Sequence, residues 1–109
     1  MEAEALARRY YRAIDAGAYD DLAALLDGDF VHERPDRTLE GRERFVAFMR
    51  DDRPRTDTTH DVEDVFAGPG GVAVTGRLRG EGDGVLFRFV DVFSIRDGTI
   101  EHLRTFARE

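Results

Sequence analysis

An aspartate, Asp91, lies in the middle of an aromatic strand pattern near the end of the chain. Phe87, Phe89 and Phe93 alternate with it in VLFRFVDVFSIR, and residues two apart in a strand share one face. A carboxyl group among phenyl rings loses hydration, which disfavours its charged form. The spacing therefore indicates an acid that can stay protonated near pH 7, as proton-transfer chemistry requires.

A second set of polar side chains lies in DFVHER, residues 29–34, which alternates as a short strand and is stopped by Pro35. Alternation places Phe30, His32 and Arg34 on one face. Polar groups that converge within an apolar cavity are the usual signature of a binding site. We therefore take His32 and Arg34 as candidate pocket residues.

Other chemistries have little support in the sequence. The absence of cysteine excludes disulfides, thiolate catalysis and cysteine-ligated metals. There is no HExxH motif, His32 and Glu33 point to opposite strand faces, and the single serine, Ser94, has no evident histidine partner. The glycines at 68–71 and 80–84 are explained as hairpin turns rather than phosphate-binding loops. Neither a metal nor a cofactor is predicted.

The composition describes one acidic domain, residues 1–109, with a formal net charge of −7 and a pI near 4.9. This charge argues against a nucleic-acid partner, and no apolar run approaches the ~20 residues of a membrane span. All sixteen basic residues are arginine, and lysine, asparagine and glutamine are absent. We predict a cytoplasmic protein of a halophile; the alternative is an ordinary acidic surface encoded by a GC-rich genome.

Helical periodicity is confined to the first half of the chain. Residues 2–16 predict an amphipathic helix with Gly17 as its C-cap. Asp20 and Asp21 open a short second helix, predicted to bury Leu22, Leu25 and Leu26 before Gly28 ends it. A polar loop is predicted over 35–40, and a third helix from Gly41 presents Phe45, Phe48 and Met49 on one side.

Beyond Thr59 the period changes to two, which predicts four strands in antiparallel succession, the last two joined at Asp97-Gly98. Helices early and strands late indicate an α+β domain in which a curved antiparallel sheet wraps around a helical layer. Gly76, inside a strand, is a candidate for the bend of the sheet.

Three segments together, ARRYYRAIDAGAYDDLAALLDGDFVHERP, LEGRERFVAFM and FRFVDVFSIRDGTIEHLRTF, resemble the nuclear transport factor 2-like superfamily, in its SnoaL-like and ketosteroid-isomerase-like branch. The resemblance spans nearly the whole chain, and its motifs mark the fold more than an activity. It implies a cone, in which a strongly curved sheet and three N-terminal helices enclose a deep apolar pocket, usually in a homodimer.

The resemblance also implies roles for single residues. Tyr10 falls where ketosteroid isomerases place a phenol that donates to the substrate oxyanion, and Asp91 where they place a protonated carboxylic acid. The carboxylate base that precedes a proline in those enzymes is replaced here by Arg34, which cannot abstract a proton. His32, with an unperturbed pKa of ~6.5, is the predicted base instead. The predicted pocket thus has Tyr10, His32 and Asp91 as catalytic residues, and Arg34, Phe30, Phe48, Phe87, Phe89 and Phe93 as substrate-binding residues.

Each assignment has an alternative. Tyr10 can be a plain core residue, His32 can be satisfied by the Glu33 backbone or another neighbour, and Arg34 can neutralise Asp91 in an internal ion pair. His60 is predicted at the surface, and His102, by the family pattern, on the outer sheet face as a dimer contact. The predicted ligand is a small apolar organic molecule, and any turnover is an isomerase or cyclase reaction. The rival function is a non-catalytic ligand-binding or dimerisation module. The apolar face of Leu86, Val90 and Val92 predicts a sheet-to-sheet homodimer.

Overall fold

The computed structural model describes residues 2–108. Three helical segments and six strands alternate as helix, helix, strand, strand, helix and four strands. The helices are α1 (Ala3–Ala16), α2 (Tyr19–Ala24) and α3 (Arg42–Ala47), the last continuing as a π-helical turn, Phe48–Asp52. The strands are β1 (Leu26–Glu33), β2 (Thr38–Glu40), β3 (Thr58–Gly68), β4 (Gly71–Gly80), β5 (Gly84–Arg96) and β6 (Thr99–Arg108).

The first helix follows its sequence pattern. Leu6, Tyr10 and Ile14 are buried, and Gly17 ends the helix with φ of 67°, donating its N–H to the carbonyls of Ala13 and Ile14. A left-handed residue at this position is most easily a glycine, because a Cβ is strained there. The helix therefore ends at a defined residue, and its buried side carries Tyr10 and Tyr11.

The second helix is shorter than predicted, because it ends at Ala24 rather than before Gly28. Leu26 instead begins β1 and pairs with Ile100, and the Ile100 N–H donates to the Leu25 carbonyl at 2.9 Å. Pairing with a distant strand outweighs the local helical pattern of LAALL. Gly28 accordingly lies within β1.

The loop predicted over 35–40 contains a short strand, β2, and the prediction of an unstructured connection is wrong there. Leu39 is buried and pairs with His32 of β1. The third helix buries Phe45, Phe48 and Met49 as predicted. These side chains close one end of the core beneath β1.

The sheet is curved and open, in the order β2-β1-β6-β5-β4-β3. The four late strands are antiparallel neighbours, as predicted, whereas β1 joins β6 in parallel, a pairing that periodicity alone did not indicate. Asp97 and Gly98, with φ of 53° and 79°, form the turn between β5 and β6. The α+β fold class predicted from the sequence is confirmed.

Strand β5 carries Phe89, Asp91 and Phe93 on its buried face. Leu78 pairs with Phe87 and Arg79 with Val85, so Leu86 is an extra residue in a bulge. Leu86 consequently lines the cavity described below, and its predicted place on the outer face is wrong.

Gly76 of β4 lies beside the Phe89 ring, where an added Cβ would come within 2.7 Å of the ring carbon Cζ. The same Cβ would also overlap the Asp61 carbonyl oxygen of β3, so glycine is required where the Phe89 ring packs over β4. Within residues 2–108, none of the helices has the length and apolarity to cross a membrane.

Candidate functional site

A cavity of about 360 Å³ opens within the fold, and its wall is mostly apolar. It is lined by residues of α1, of the segment that follows the third helix, and of β1, β3, β4, β5 and β6. Both the volume and the apolar character suit a small organic molecule. The polar side chains at its wall include Tyr10, His32, Arg34, Arg53, His60, Asp91 and Thr105.

Asp91 is the most buried acid of this wall, with an exposed fraction of 5%. Its Oδ2 accepts a hydrogen bond from the Tyr11 hydroxyl at 2.7 Å, and its Oδ1 accepts one from the Thr105 hydroxyl at 2.5 Å. Burial raises the pKa of Asp91, against the lowering effect of the two hydroxyl donors. Asp91 is thus a buried but fully hydrogen-bonded carboxyl group, rather than the isolated acid that the strand pattern suggested.

Arg34 does not pair with Asp91. Its Nε lies 3.0 Å from an oxygen of Asp36, and its guanidinium lies 5.0 Å from the centre of the Phe48 ring. The internal ion pair that the sequence left open is therefore absent from the described residues, and Arg34 lines the cavity with its charge balanced by Asp36.

Tyr10 lines the cavity and packs edge-on against Tyr11 and Phe93. Burial, and then the Asp91 charge, raise the pKa of Tyr10 well above its usual range, whereas Arg34 and Arg53 lower it. The hydroxyls of Tyr11 and Tyr19 have side-chain partners, but that of Tyr10 has none within residues 2–108. The Tyr10 hydroxyl is thus a donor without a protein acceptor at the cavity.

Tyr11 is a site residue that sequence reasoning missed. It is buried, and burial together with Asp91 raises its pKa far above the ordinary range, so it stays a neutral donor to the Asp91 carboxyl group. Adjacent helical positions differ by about 100° in direction, so only one tyrosine was expected to face inward. The two consecutive tyrosines, Tyr10 and Tyr11, were the sequence feature that could have indicated a second site residue.

His32 lies at the same wall and has an exposed fraction of 5%. Its Nε2 lies 2.8 Å from the Thr105 hydroxyl, and its Nδ1 is buried with no partner within residues 2–108. Burial, reinforced by the Arg34 charge, lowers the pKa of His32 to about 3. A base this weak is a poor proton acceptor at neutral pH, which weakens the predicted role of His32.

His60 was predicted at the surface, and that prediction is wrong. Its backbone N–H donates to Asp15 Oδ2 at 3.0 Å, and its ring Nδ1 lies 2.7 Å from Asp15 Oδ1. The ring packs on Tyr11 at 4.9 Å between centroids, contacts Phe89 and lines the cavity. Asp15 belongs to α1 and His60 to β3, so no sequence spacing could reveal the pair.

The two hydrogen bonds to Asp15 determine the chemistry of the His60 ring. A carboxylate only accepts hydrogen bonds, so Nδ1 carries the proton of the neutral ring. Nε2 then carries the lone pair, and it has no partner within the described chain. A histidine oriented in this way by a carboxylate is the usual arrangement of a general base.

His102 lies away from the cavity and forms an exposed pair with Glu33, their Nε2 and Oε2 atoms 2.5 Å apart. This agrees with its predicted place on the outer side of the sheet. A role as a dimer contact stays a prediction.

The predicted aromatic pocket residues divide into two groups. Phe87 and Phe89 line the cavity. Phe30 and Phe93 are almost fully buried in the core, and Phe48 packs beneath the guanidinium groups of Arg34 and Arg37. The last three phenylalanines therefore support the wall without forming it. Among residues 2–108, no three side chains of the metal-ligating types come together.

The sequence matches the family model described as a SnoaL-like domain over residues 7–103. No curated protein matches it. The matched residues include β5, which carries Asp91, and β3, which carries Thr58 to His60. They also include α1 from Ala7 onward.

Solved structures share the fold. A candidate ketosteroid isomerase from Kribbella flavida is 28% identical, with a TM-score of 0.85 over 96% of this chain and 76% of that one. A nuclear transport factor 2-like protein from Cytophaga hutchinsonii is 16% identical, with a TM-score of 0.85 over 99% and 91%. A candidate polyketide cyclase from Sinorhizobium meliloti is 16% identical, with a TM-score of 0.82 over 97% and 100%. The latter two likenesses concern the fold alone.

Proposed function

Because this chain belongs to the SnoaL-like family, we propose that it binds a small apolar carbonyl compound in its cavity and catalyses cofactor-independent proton transfer on it, as an isomerase or cyclase does. The likeness to a candidate ketosteroid isomerase, at 28% identity, supports this class of reaction. Fold similarity by itself does not determine function, so the proposal depends on the residues of the cavity.

The observation that carries the proposal is the meeting of a base and two acids at one apolar cavity. His60, held by Asp15, offers an Nε2 atom without a partner in the described part of the chain, and Tyr10 likewise offers a hydroxyl without one. Asp91 lies at the same wall, and its raised pKa favours retention of a proton. A base near one end of a carbonyl compound and donors near its oxygen are what enolisation requires.

In the proposed reaction, His60 Nε2 takes a proton from the carbon next to the carbonyl group. The electrons of the broken C–H bond form a carbon–carbon double bond, and the carbonyl π electrons move to the oxygen. Tyr10 donates a hydrogen bond to that oxygen. Asp91 donates a second one in its protonated form, because each of its oxygens keeps a free position beside its hydroxyl partner where the proton can bind. In an isomerisation the substrate is a β,γ-unsaturated ketone: the enolate is conjugated with the second double bond, the imidazolium returns its proton to the γ carbon, and the double bond moves next to the carbonyl group. In a cyclisation the enolate carbon attacks a second carbonyl carbon, and the oxygen of that carbonyl takes the proton from the imidazolium.

Two predicted site residues have changed roles in this proposal. His32 holds the Thr105 hydroxyl that bonds Asp91, so it positions the acid instead of acting as base. Arg34 lies at the cavity wall with Asp36 as its counter-charge, so it has no part in stabilising the enolate. Neither residue needs to touch the reacting atoms.

The proposal can be tested without knowing the natural substrate. Methyl ketones such as 2-acetylnaphthalene are incubated with the protein in D₂O, and NMR follows deuterium incorporation at the methyl group. We expect exchange above the buffer rate, and about a tenfold loss in Asp91→Asn, the change expected when one charge-assisted donor is weakened.

Asp64→Asn is the matched control, because Asp64 also accepts from a cross-strand threonine, Thr75, but on an exposed surface. It should leave exchange unchanged. Exchange at the buffer rate in a protein that binds the ketone would contradict the catalytic proposal and leave ligand binding alone.

A second candidate function, a non-catalytic dimerisation module, is favoured by the outer sheet face. Val90 and Phe106 pair across β5 and β6 and are 39% and 55% exposed. Apolar side chains exposed side by side on a sheet are typical of a surface that another chain covers. We propose that a second copy packs on this face.

The homodimer is expected to be visible by light scattering at molar salt, where repulsion between acidic copies is screened. Phe106→Asp should convert the dimer to a monomer without loss of secondary structure, because it places a charge in the proposed interface. A monomeric wild-type protein at all salt concentrations would overturn the assembly while leaving the cavity chemistry untouched.

A further inference from the structure

Arg53 is a half-buried cation at the cavity wall with no acidic partner within residues 2–108. Its Nε donates to the Met49 carbonyl at 2.8 Å, and its Nη2 donates to the Tyr19 hydroxyl at 3.1 Å and lies 3.4 Å from the Ile14 carbonyl. These acceptors are all neutral. They tie the side chain to the ends of α1 and the π-helical turn but leave its charge unbalanced.

The third guanidinium nitrogen, Nη1, has no hydrogen-bond acceptor among the described residues. Among the described residues, the buried side-chain atoms without a hydrogen-bond partner are His32 Nδ1 and Arg77 Nε, so Nη1 of Arg53 is not a buried atom. Nη1 is therefore open to solvent. A guanidinium is always protonated, and its nitrogens are arranged to bind a carboxylate.

The other two arginines of the cavity differ from Arg53 in this respect. Arg34 is paired with Asp36, and Arg55 is paired with both Asp57 and Asp83. The hydrogen bonds of Arg53 to neighbouring residues use two of its nitrogens, Nε and Nη2. They do not explain why a charged residue lies at the cavity.

Arg53 is the arginine of the cavity wall whose charge is not offset by a carboxylate within residues 2–108. The wall has three arginines, of which Arg34 is paired with Asp36 and Arg55 with two acids. A cleft with apolar walls focuses the field of its own charges, so an unpaired guanidinium attracts an anion locally although the whole chain has a net charge of −7.

We propose that the natural ligand of the cavity carries a carboxylate, and that Arg53 binds this group through Nη1. The apolar body of the ligand then contacts Phe87 and Phe89, and its carbonyl group reaches Tyr10 and Asp91. This inference rests on the proposed function of the cavity and adds the substrate class, an apolar oxo acid. Tyr10 lies within the electrostatic influence of Arg53, which supports a ligand that spans both residues.

The test uses two probes with the same ketone skeleton, 6-acetylnaphthalene-2-carboxylate and its methyl ester, of which only the first is charged. Binding to the wild-type protein is measured by calorimetry at low and high salt. We expect the acid to bind about tenfold more tightly than the ester, as a charge-assisted hydrogen bond would produce, and the ratio to fall as salt increases.

Variants of the protein test whether Arg53 causes the preference for the acid over the ester. Arg53→Gln should remove the preference for the acid, and Arg53→Lys, which keeps the positive charge, should retain part of it. Arg55→Gln is the matched control, because Arg55 lines the same cavity but already has two carboxylate partners, and it should keep the wild-type ratio. If Arg53→Gln fails to fold, two measurements still test the role of Arg53. They are the ratio of acid to ester affinity in the wild-type protein and in Arg53→Lys, and the change of this ratio with salt.

Equal affinity for the acid and the ester in the wild-type protein would overturn this inference while leaving the proposed function intact. A preference that persists in Arg53→Gln would overturn the role of Arg53. Failure of both probes to bind would instead contradict the proposed function, and the inference would fall with it.

Discussion

Replacing His60 with glutamine is expected to slow ketone α-proton exchange by about 10³-fold, within the range of a lost general base. Glutamine preserves the approximate size of the side chain and can still bond Asp15, but it has no basic nitrogen. Binding of 2-acetylnaphthalene should change little, because Phe87, Phe89 and the rest of the apolar wall are unaffected. The measurement is the NMR exchange rate at saturating ketone, with the dissociation constant determined separately.

His102→Gln is the control for this variant, because His102 is also paired with a carboxylate, Glu33, but lies outside the cavity. It should retain the full exchange rate. Asp15→Asn should lose about 10–100-fold, since the amide no longer enforces the Nδ1–H form of His60. An unchanged rate in His60→Gln would transfer the base to another group and refute the assignment.

Acidification is expected to destabilise the protein through His32. Its pKa is about 3 in the folded state, against ~6.5 in an unfolded chain, so the unfolded state binds more protons between these values. The contribution to stability is therefore complete above pH 6.5 and is lost as the pH falls toward 3. Between pH 7 and pH 4 this loss amounts to about 3 kcal/mol.

Urea denaturation of the wild-type protein and His32→Gln at both pH values isolates this effect. Glutamine can keep the bond to Thr105 but does not titrate, so its loss of stability on acidification should be about 3 kcal/mol smaller. Asp91, whose pKa is raised, acts with the opposite sign, because the folded state takes up its proton first; this contribution is common to both proteins. Equal acid losses in the two proteins would contradict a buried neutral His32.

The positions of the main elements could be predicted because their signals are local. The periodicity of α1, the Gly17 cap and the Asp97-Gly98 turn each depend on a few neighbouring residues. The end of α2 and the strand β2 could not be predicted, because pairing between distant strands determined both.

The cross-strand partner of Asp91 depends on a one-residue irregularity in the pairing of β5 with β6. In the register next to the turn, Ile95 pairs with Ile100, and an uninterrupted ladder would place Arg104 opposite Asp91. The irregularity between Ser94 and Ile95 shifts the register by one residue, so Thr105 lies opposite Asp91 instead. A hydroxyl donor thereby occupies the place of a guanidinium.

The sequence by itself determined that an acid, Asp91, would be buried among aromatic rings, and that Tyr10 and His32 would lie on the inner faces of their elements, because alternation and helical periodicity define faces. Their place at one cavity was implied by the family resemblance. Only the tertiary structure brought Asp15 to His60, Tyr11 to Asp91 and Arg34 to Asp36. The physical reason is that hydrogen bonds and ion pairs depend on ångström-scale distances, which for residues of distant elements follow from strand register and helix docking rather than from spacing along the chain.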